Sequence, residues 1–385
     1  MTYSRRIESI PLSCTIPGLQ RTLKVIRYGS PGARPKAYFQ AAIHASEMTG
    51  TVALAALADM LDVADASGKV KGEILLLPMC NPIGFGQFLF GEQSGRFEHG
   101  GRDNFNRGHY DISEMVAIAS KDKLVEDADA NVATLRGLAL DVISSIPVID
   151  DMTSWRTKLL AMAIDADLVL DIHSDLDAAV FMYVNQNDWP AATDVAALLG
   201  CAATILNAPY TTSTNFSGVV GALWPRLAER IGPDFPVPNA CLSVLLELRG
   251  RHDVSHALAQ ADARRLFSIL QQRGMIEGES GELPALLAPA TPILGMDVGY
   301  APFAGPVVYH VSPGETVFIG MPICDVLDPL AEDTDARVIT LFARANGVLY
   351  ARPIDGMVVY PGQVMFRIAG AEPLAHRMNR SWLDD

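Results

Sequence analysis

Three apolar runs decide most of what this chain can fold into. AYFQAAIH (37–44), DLVLDIH (167–173) and SVLLELRG (243–250) read as buried strands, and each carries an ionisable side chain toward its carboxyl end: His44, His173 and Glu247. Near-continuous apolar strands belong to sheets covered by helices on both faces. Helical patterns fall between them, at 47–64, 132–146, 154–164, 192–201 and 255–272, with further strands at 73–79 and 179–184. IESIPLS and TLKVIRYG add short strands before the first run. The alternation predicts an α/β sheet layered by helices. Residues 81–112, rich in Gly, Asn and charge, read as a long irregular loop, and TTSTNFSGVVGALWP (211–225) as a surface loop.

The pattern changes around 278–292, after which the chain is strand-like and rich in turns. It also repeats. Glycines at 305, 314 and 320 recur 42 residues on at 347, 356 and 362, and Val317/Val359 and Val326/Ile368 keep the same shift. Turn glycines with apolar residues between them predict two matched half-barrels packed together. The division expected is therefore an α/β part over 1–285 and a smaller all-β, barrel-like part over 290–372. The repeat resembles biotinyl/lipoyl-type carrier barrels, but a carrier needs a lysine at a hairpin tip, and the last lysine of this chain is Lys158.

Composition narrows the partners. A formal charge of −14 over 385 residues disfavours nucleic acid and anionic membrane, and obliges any anionic small molecule to be held by particular arginines. The five cysteines (Cys14, Cys80, Cys201, Cys241, Cys324) are scattered without a CxxC pair, as expected of reduced thiols in a cytoplasmic protein. No apolar run reaches membrane-spanning length. The sequence leaves association with further copies of the chain open.

Ligands of open α/β sheets bind beyond the carboxyl ends of the strands, so His44 and His173 would meet if their strands are neighbours. Glu47 follows His44 by one turn at the entry to a helix, and the three would make a His/Glu/His set suited to one zinc ion. Glu247 sits at the end of a third buried run, where a carboxylate is costly unless it is paired or has a task. Beside a zinc-bound water it would accept the water's proton; the alternative is a salt bridge to Arg249 or another arginine. The loop GRFEHGGRDNFNRGHYD (95–111) supplies Arg96, Arg102, Asn106 and Arg107 as donors for carboxylates or an oxyanion. His99 and His109 in the same loop are expected at the surface.

HxxE at a strand–helix seam, an NR dipeptide in the following loop, DLVLDIHSD and a late ELRG resemble, in that order, the succinylglutamate desuccinylase/aspartoacylase family of the zinc carboxypeptidase clan. The resemblance spans roughly residues 40 to 255. It implies a carboxypeptidase-like mixed central sheet flanked by helices, one zinc per chain held by His44, Glu47 and His173, and Glu247 as general acid/base. It further implies Asn106 and Arg107 as the grip on a substrate carboxylate, with Arg96, or its rival Arg102, polarising the scissile carbonyl. The expected substrate is a small N-acyl amino acid. ELRG departs from the ELG of aspartoacylases proper and points to a bacterial branch that includes N-acetyl-2,4-diaminobutyrate deacetylases. Two other readings share these residues: a zinc carboxypeptidase acting on short peptides, and a non-catalytic protein that keeps the metal site as a relic.

Overall fold

The computed structural model describes residues 5–13, 17–101, 103–208, 214–354 and 356–378. Nine strands form one sheet: β1 (Arg6–Pro11), β2 (Thr22–Tyr28), β3 (Lys36–Ala41), β4 (Glu73–Leu77), β5 (Leu168–Asp175), β6 (Val180–Asn185), β7 (Ala203–Asn207), β8 (Leu242–Gly250) and β9 (Thr291–Pro292), in the order β1-β2-β4-β3-β5-β8-β6-β7-β9. The middle of the sheet, β4-β3-β5-β8, is parallel, and β2 and β6 run antiparallel on either side of it. This is the mixed sheet that the resemblance implies.

Side-chain alternation sorts the two faces. Ala37, Phe39, Leu168, Leu170, Ile172, Val244 and Leu246 share one core with α1 (Thr49–Ala66), α5 (Thr193–Leu199) and α7 (His256–Gln272). Tyr38, Val169, Leu75 and Leu77 face the other core, with α2 (Ser113–Ala119), α3 (Ala128–Ser145), α4 (Asp151–Ala163) and α6 (Phe216–Ile231). By the same period, Asp171, His173 and Glu247 cannot point toward α1 and α7. They project to the α4/α6 side, where the cavity opens.

The helix α6 corrects the loop expected at 211–225, of which residues 209–213 lie outside the described residues. The Asn215 side chain accepts from Gly218 N, capping the helix. Phe216, Val219, Val220, Leu223, Trp224 and Leu227 then recur at helical spacing and are buried. Pro225 inside the helix and the Gly/Ser/Thr-rich start hide this period from a composition reading. The segment 81–112 is irregular apart from a turn at Gly84–Gly86 and a hairpin of Phe88–Leu89 with Glu92–Gln93.

The rest of the chain forms two small sheets. β10 (Met296–Tyr300), β17 (Val364–Gly370), β15 (Gly347–Arg352) and β12 (Thr316–Val317) make one; β14 (Val338–Phe342), β13 (Pro322–Leu327), β11 (Gly305–Tyr309) and β16 (Val358–Val359) make the other. The repeat is exchanged between them. Gly305 pairs with Val359 and Gly347 with Val317, so each half's opening strand pairs with a short strand of the other half. Val307, Val317, Val326, Leu349, Val359 and Ile368 close one core between the sheets. This β-rich region is knit into the larger sheet, since Asp177–Ala178, just beyond β5, pairs with β15, and β9 lies beside β7.

The repeat's two opening glycines meet the same obstacle. A Cβ on Gly305 would lie 2.0 Å from Leu327 O, and one on Gly347 would lie 2.0 Å from Ala369 O. Both obstacles are backbone and cannot swing away. Gly347→Ala should therefore cost about 1–3 kcal/mol or more, as overpacking does. Gly320→Ala, strained at φ +85° but with open space around it, should cost only ~1 kcal/mol. Denaturant unfolding of the two variants against wild type checks the difference, and equal losses would count against the close approach of Gly347 to Ala369 O.

Candidate active site

Glu47 is where three elements meet. His44 follows β3, His173 lies on the adjacent β5, and Glu47 immediately precedes α1. The first turn of α1 approaches β3 and β5 closely because residue 50 is glycine: a Cβ there would meet Ile172 Cγ2 at 2.7 Å and Ala41 Cβ at 2.8 Å. That approach brings the Glu47 carboxylate between the two imidazoles. Oε1 is 2.9 Å from His44 Nδ1, Oε2 is 2.9 Å from His173 Nδ1, and Ser174 N donates to Oε2 at 3.2 Å. All three side chains are buried, and their donor atoms lie within 4.8 Å of one another. Two imidazole nitrogens and a carboxylate converging on one point fit the zinc that the resemblance implies.

The outer nitrogens of the two rings are also held. His44 Nε2 meets Asn104 Oδ1 at 2.9 Å. His173 Nε2 lies 3.2 Å from Asp171 Oδ2 and 3.1 Å from Asn106 Nδ2. Gln40 Nε2 donates to Asp171 Oδ1 at 2.8 Å, and Tyr38 Oη donates in turn to Gln40 Oε1 at 2.7 Å. A carboxylate behind a ligating histidine fixes its tautomer and turns the other nitrogen toward the metal. Burial opposes protonation of His173, but the Asp171 and Glu47 carboxylates outweigh it and hold its pKa well above the ordinary value.

Glu247 is directly opposite His173 in the β8–β5 register and on the same face. Its Oε2 is shielded from solvent and has no hydrogen-bond partner among the described residues. Burial pushes its carboxyl up to about 8 against the pull of the His173 ring. The salt bridge to Arg249 weighed from sequence is not formed. Arg249 adopts φ +66° at a bulge in β8, which turns its guanidinium away onto Asp262, with Nη1 3.1 Å from Oδ1.

These groups line a cavity of about 360 Å³ with Arg96, Asn106, Arg107, Asp175, Tyr183 and Arg367. Ala45 N donates to Gly95 O at 2.9 Å, which brings the loop over the metal-type donors. Arg96 Nη1 then sits 3.3 Å from both Glu47 Oε1 and His44 Nδ1. Asn106 is buried and accepts from Phe216 N at 2.8 Å, so it ties the loop to the start of α6. Arg107 has no carboxylate partner among the described residues, and burial together with neighbouring Arg96 lowers its pKa. Arg102 lies outside the described residues.

His109 is not at the surface. Its backbone N–H donates to Thr214 O at 3.0 Å, which draws the end of the loop beneath α6 and packs the ring against Trp155 and Phe216. Burial pulls its pKa down to about 3. His99 is exposed, as expected. Asp171, Asn104 and Arg367 were not assigned roles from sequence. For Asp171 a signal existed: two residues before His173 on one strand puts both on one face.

Two outcomes follow from this geometry. Asp171→Asn should weaken zinc binding roughly 10–100-fold, measured by competition with a chelator, because His173 loses the group that orients it. In the metal-free folded chain burial pushes the Glu247 carboxyl up to about 8 from its ordinary 4.5. As pH rises through that window the unfolded chain ionises first, so this group's contribution to stability falls until pH 8. Metal-stripped Glu247→Gln escapes that loss: its melting point should exceed wild type at pH 8, and the gap should shrink toward pH 5. A gap independent of pH would remove Glu247 as its cause.

Residues 33–132 match the family model of the succinylglutamate desuccinylase/aspartoacylase catalytic domain. No curated protein matches the sequence. Among solved structures, a succinylglutamate desuccinylase/aspartoacylase family protein from Shewanella amazonensis superposes with a TM-score of 0.82 at 21% identity, covering 94% of this chain and 98% of that one. Another from Shewanella frigidimarina gives 0.81 at 22% identity, covering 96% and 98%. The product-bound ectoine utilization protein EutE of Ruegeria pomeroyi gives 0.65 at 17%, covering 96% of each chain. The chain thus carries the catalytic-domain signature of the succinylglutamate desuccinylase/aspartoacylase family in residues 33–132 and, along nearly its whole length, the fold of proteins named for that family.

Proposed function

We propose that this protein is a zinc-dependent amidohydrolase that removes the acyl group from a small N-acyl amino acid. The observation that carries the reading is Glu247, a half-buried carboxylate whose Oε2 is shielded from solvent and has no hydrogen-bond partner among the described residues, opposite the His44/Glu47/His173 group in one cavity. A half-buried carboxylate with a raised pKa and no ion pair is costly as structure and useful as a proton acceptor.

Zinc bound to His44, Glu47 and His173 supplies Lewis acidity and lowers the pKa of water at the site. Glu247 takes the proton of the attacking water and returns it to the departing amine nitrogen, a role for which burial makes its carboxylate more basic than usual. Arg96, over the donor cluster, is placed to hold negative charge that develops on the scissile carbonyl oxygen. Arg107, a cation without a carboxylate partner, takes a substrate carboxylate, while Asn106 fixes the loop that presents it. Asp171 and Asn104 keep the two imidazoles turned inward.

A small substrate is favoured over a peptide because the β-rich region closes one side of the cavity with Ile293, Met296 and Arg367. N-acetyl-2,4-diaminobutyrate, the substrate type of the ectoine branch, is one candidate within this class. Metal analysis of the purified protein with an amine-release screen over N-acetyl and N-succinyl amino acids, and short peptides for comparison, tests the reading. Glu247→Gln should keep its zinc while turnover falls by about 10²–10⁴-fold. Undiminished hydrolysis by that variant, or faster release from peptides, would overturn it.

A further inference from the structure

An open sheet leaves a strand at each edge with unpaired N–H and C=O groups, a template for any passing strand. This chain blunts its edges in most places. β1 carries Arg6, Glu8 and Pro11, β9 is two residues ending in Pro292, β12 and β16 are two residues each, and β10 is almost wholly buried. β14 is different. It reads VITLF, without a charge, a proline or a glycine, and it pairs with β13 on one side and with nothing on the other among the described residues. Val338, Ile339 and Phe342 are 46%, 40% and 51% exposed, so the bare edge is also apolar.

Hydrogen bonds at the two ends of β14 fix which of its backbone groups face outward. Asp328 N donates to Arg337 O at 2.8 Å, while Ala343 N donates to Met321 O and Ala343 O accepts from Gly320 N, each at 2.9 Å. Arg337 and Ala343 therefore face β13, and by the period of two so do residues 339 and 341. Val338, Thr340 and Phe342 turn their N–H and C=O groups away from the sheet. Side chains alternate in the same step. Leu341 packs on the core between the two small sheets with Ile339 on its face, and Val338, Thr340 and Phe342 share the outer face.

We propose that β14 is a homodimer interface, pairing antiparallel with β14 of a second copy about a two-fold axis at Thr340. The strand is its own complement. From either end it runs apolar, apolar, Thr, apolar, apolar, so the axis sets Val338 against Phe342 of the other copy and Ile339 against Leu341, with the two threonines opposite each other. The outward backbone groups fall at the three positions this register needs, since 338 meets 342 and 340 meets 340. Another protein would have to bring a matching apolar strand, whereas a second copy already carries one. Two chains of charge −14 repel, and an uncharged strand is where they approach at least cost. Phe318 and Ile319, exposed beside the Phe342 end where Gly320 meets Ala343, enlarge the apolar surface toward the roughly 800 Å² per partner of a stable interface. The cavity is lined from the other small sheet, by Met296 and Arg367, so the pairing leaves it open and does not depend on the deacylase reading.

Sedimentation velocity of the full chain over a range of concentrations tests the proposal. Wild type should sediment as a dimer. Phe342→Lys, which puts a charge on the outer face without entering the core, should raise the dimer's dissociation constant about tenfold or more. Thr340→Pro, which removes the N–H at the axis from an edge strand where proline is tolerated, should do the same. Oxidative cross-linking then reads the register in variants that stay dimeric. Thr340→Cys should give a disulfide-linked dimer, because the residue across the axis is the same one. Val338→Cys should not, since at this register it lies about 14 Å from its own copy. Wild type supplies the background, its described cysteines being buried. A monomeric wild type, whether its edge is bare or taken by another protein's strand, overturns the proposal. So does a dimer that Phe342→Lys and Thr340→Pro leave intact, or one that Val338→Cys cross-links as readily as Thr340→Cys.

Discussion

Two contacts of 2.9 Å, from the oxygens of one carboxylate to the Nδ1 atoms of His44 and His173, set the terms for the centre of this molecule. A buried glutamate is tolerable only when it is met by donors, and Glu47 meets two rings and a backbone N–H. To deliver those partners, β3 and β5 must be neighbours in parallel register, and α1 must begin almost against them. Gly50 permits the last of these, since the space a Cβ would need is already taken by Ile172 and Ala41. The convergence thus follows from the packing of the fold, which fixes the short β3–α1 connection carrying His44 and Glu47 against β5.

The same geometry explains why so much of the centre was legible in the sequence. An apolar strand that runs out into an imidazole or a carboxylate is conspicuous, because nothing apolar accounts for the last residue. His44, His173 and Glu247 stand out in this way, and Glu47 follows from helical entry. What alternation along a strand cannot show is a partner from a distant segment. Asp171 is plain as a neighbour of His173, but its orientation depends on Gln40 of β3. His109 sits in a loop of polar composition, and only the tie to Thr214 reveals that the loop end is drawn under a helix. The helix itself was hidden because Gly221, which lets α6 pack on Ser243, and Pro225 both argue locally against a helix, while the buried stripe from Phe216 to Leu227 argues for one. Packing outweighed propensity there.

The β-rich region raises a related question, since the sequence of its repeat resembles barrels that carry a cofactor on a lysine. Here the lysine is absent and the exchange of opening strands survives. Such an exchange makes the two halves fold as one unit, because each half leaves the other's edge unpaired without it. A rigid unit of this kind suits a wall better than a swinging carrier.

Its place beside the large sheet gives that rigidity a use. The strand pairing of Asp177–Ala178 with β15 starts two residues beyond Asp175, at the carboxyl end of the strand that bears His173. Any tilt of the β-rich region would therefore be felt at the end of the strand bearing a metal-type donor. Two arginines bridge the same seam, Arg352 to Asp177 and Arg367 to Asp175. Arg352, stacked on Tyr309 and paired with Asp177, has little freedom and almost no solvent contact, as a fastener should. Arg367 meets Asp175 at 3.2 Å and lines the cavity from the same seam.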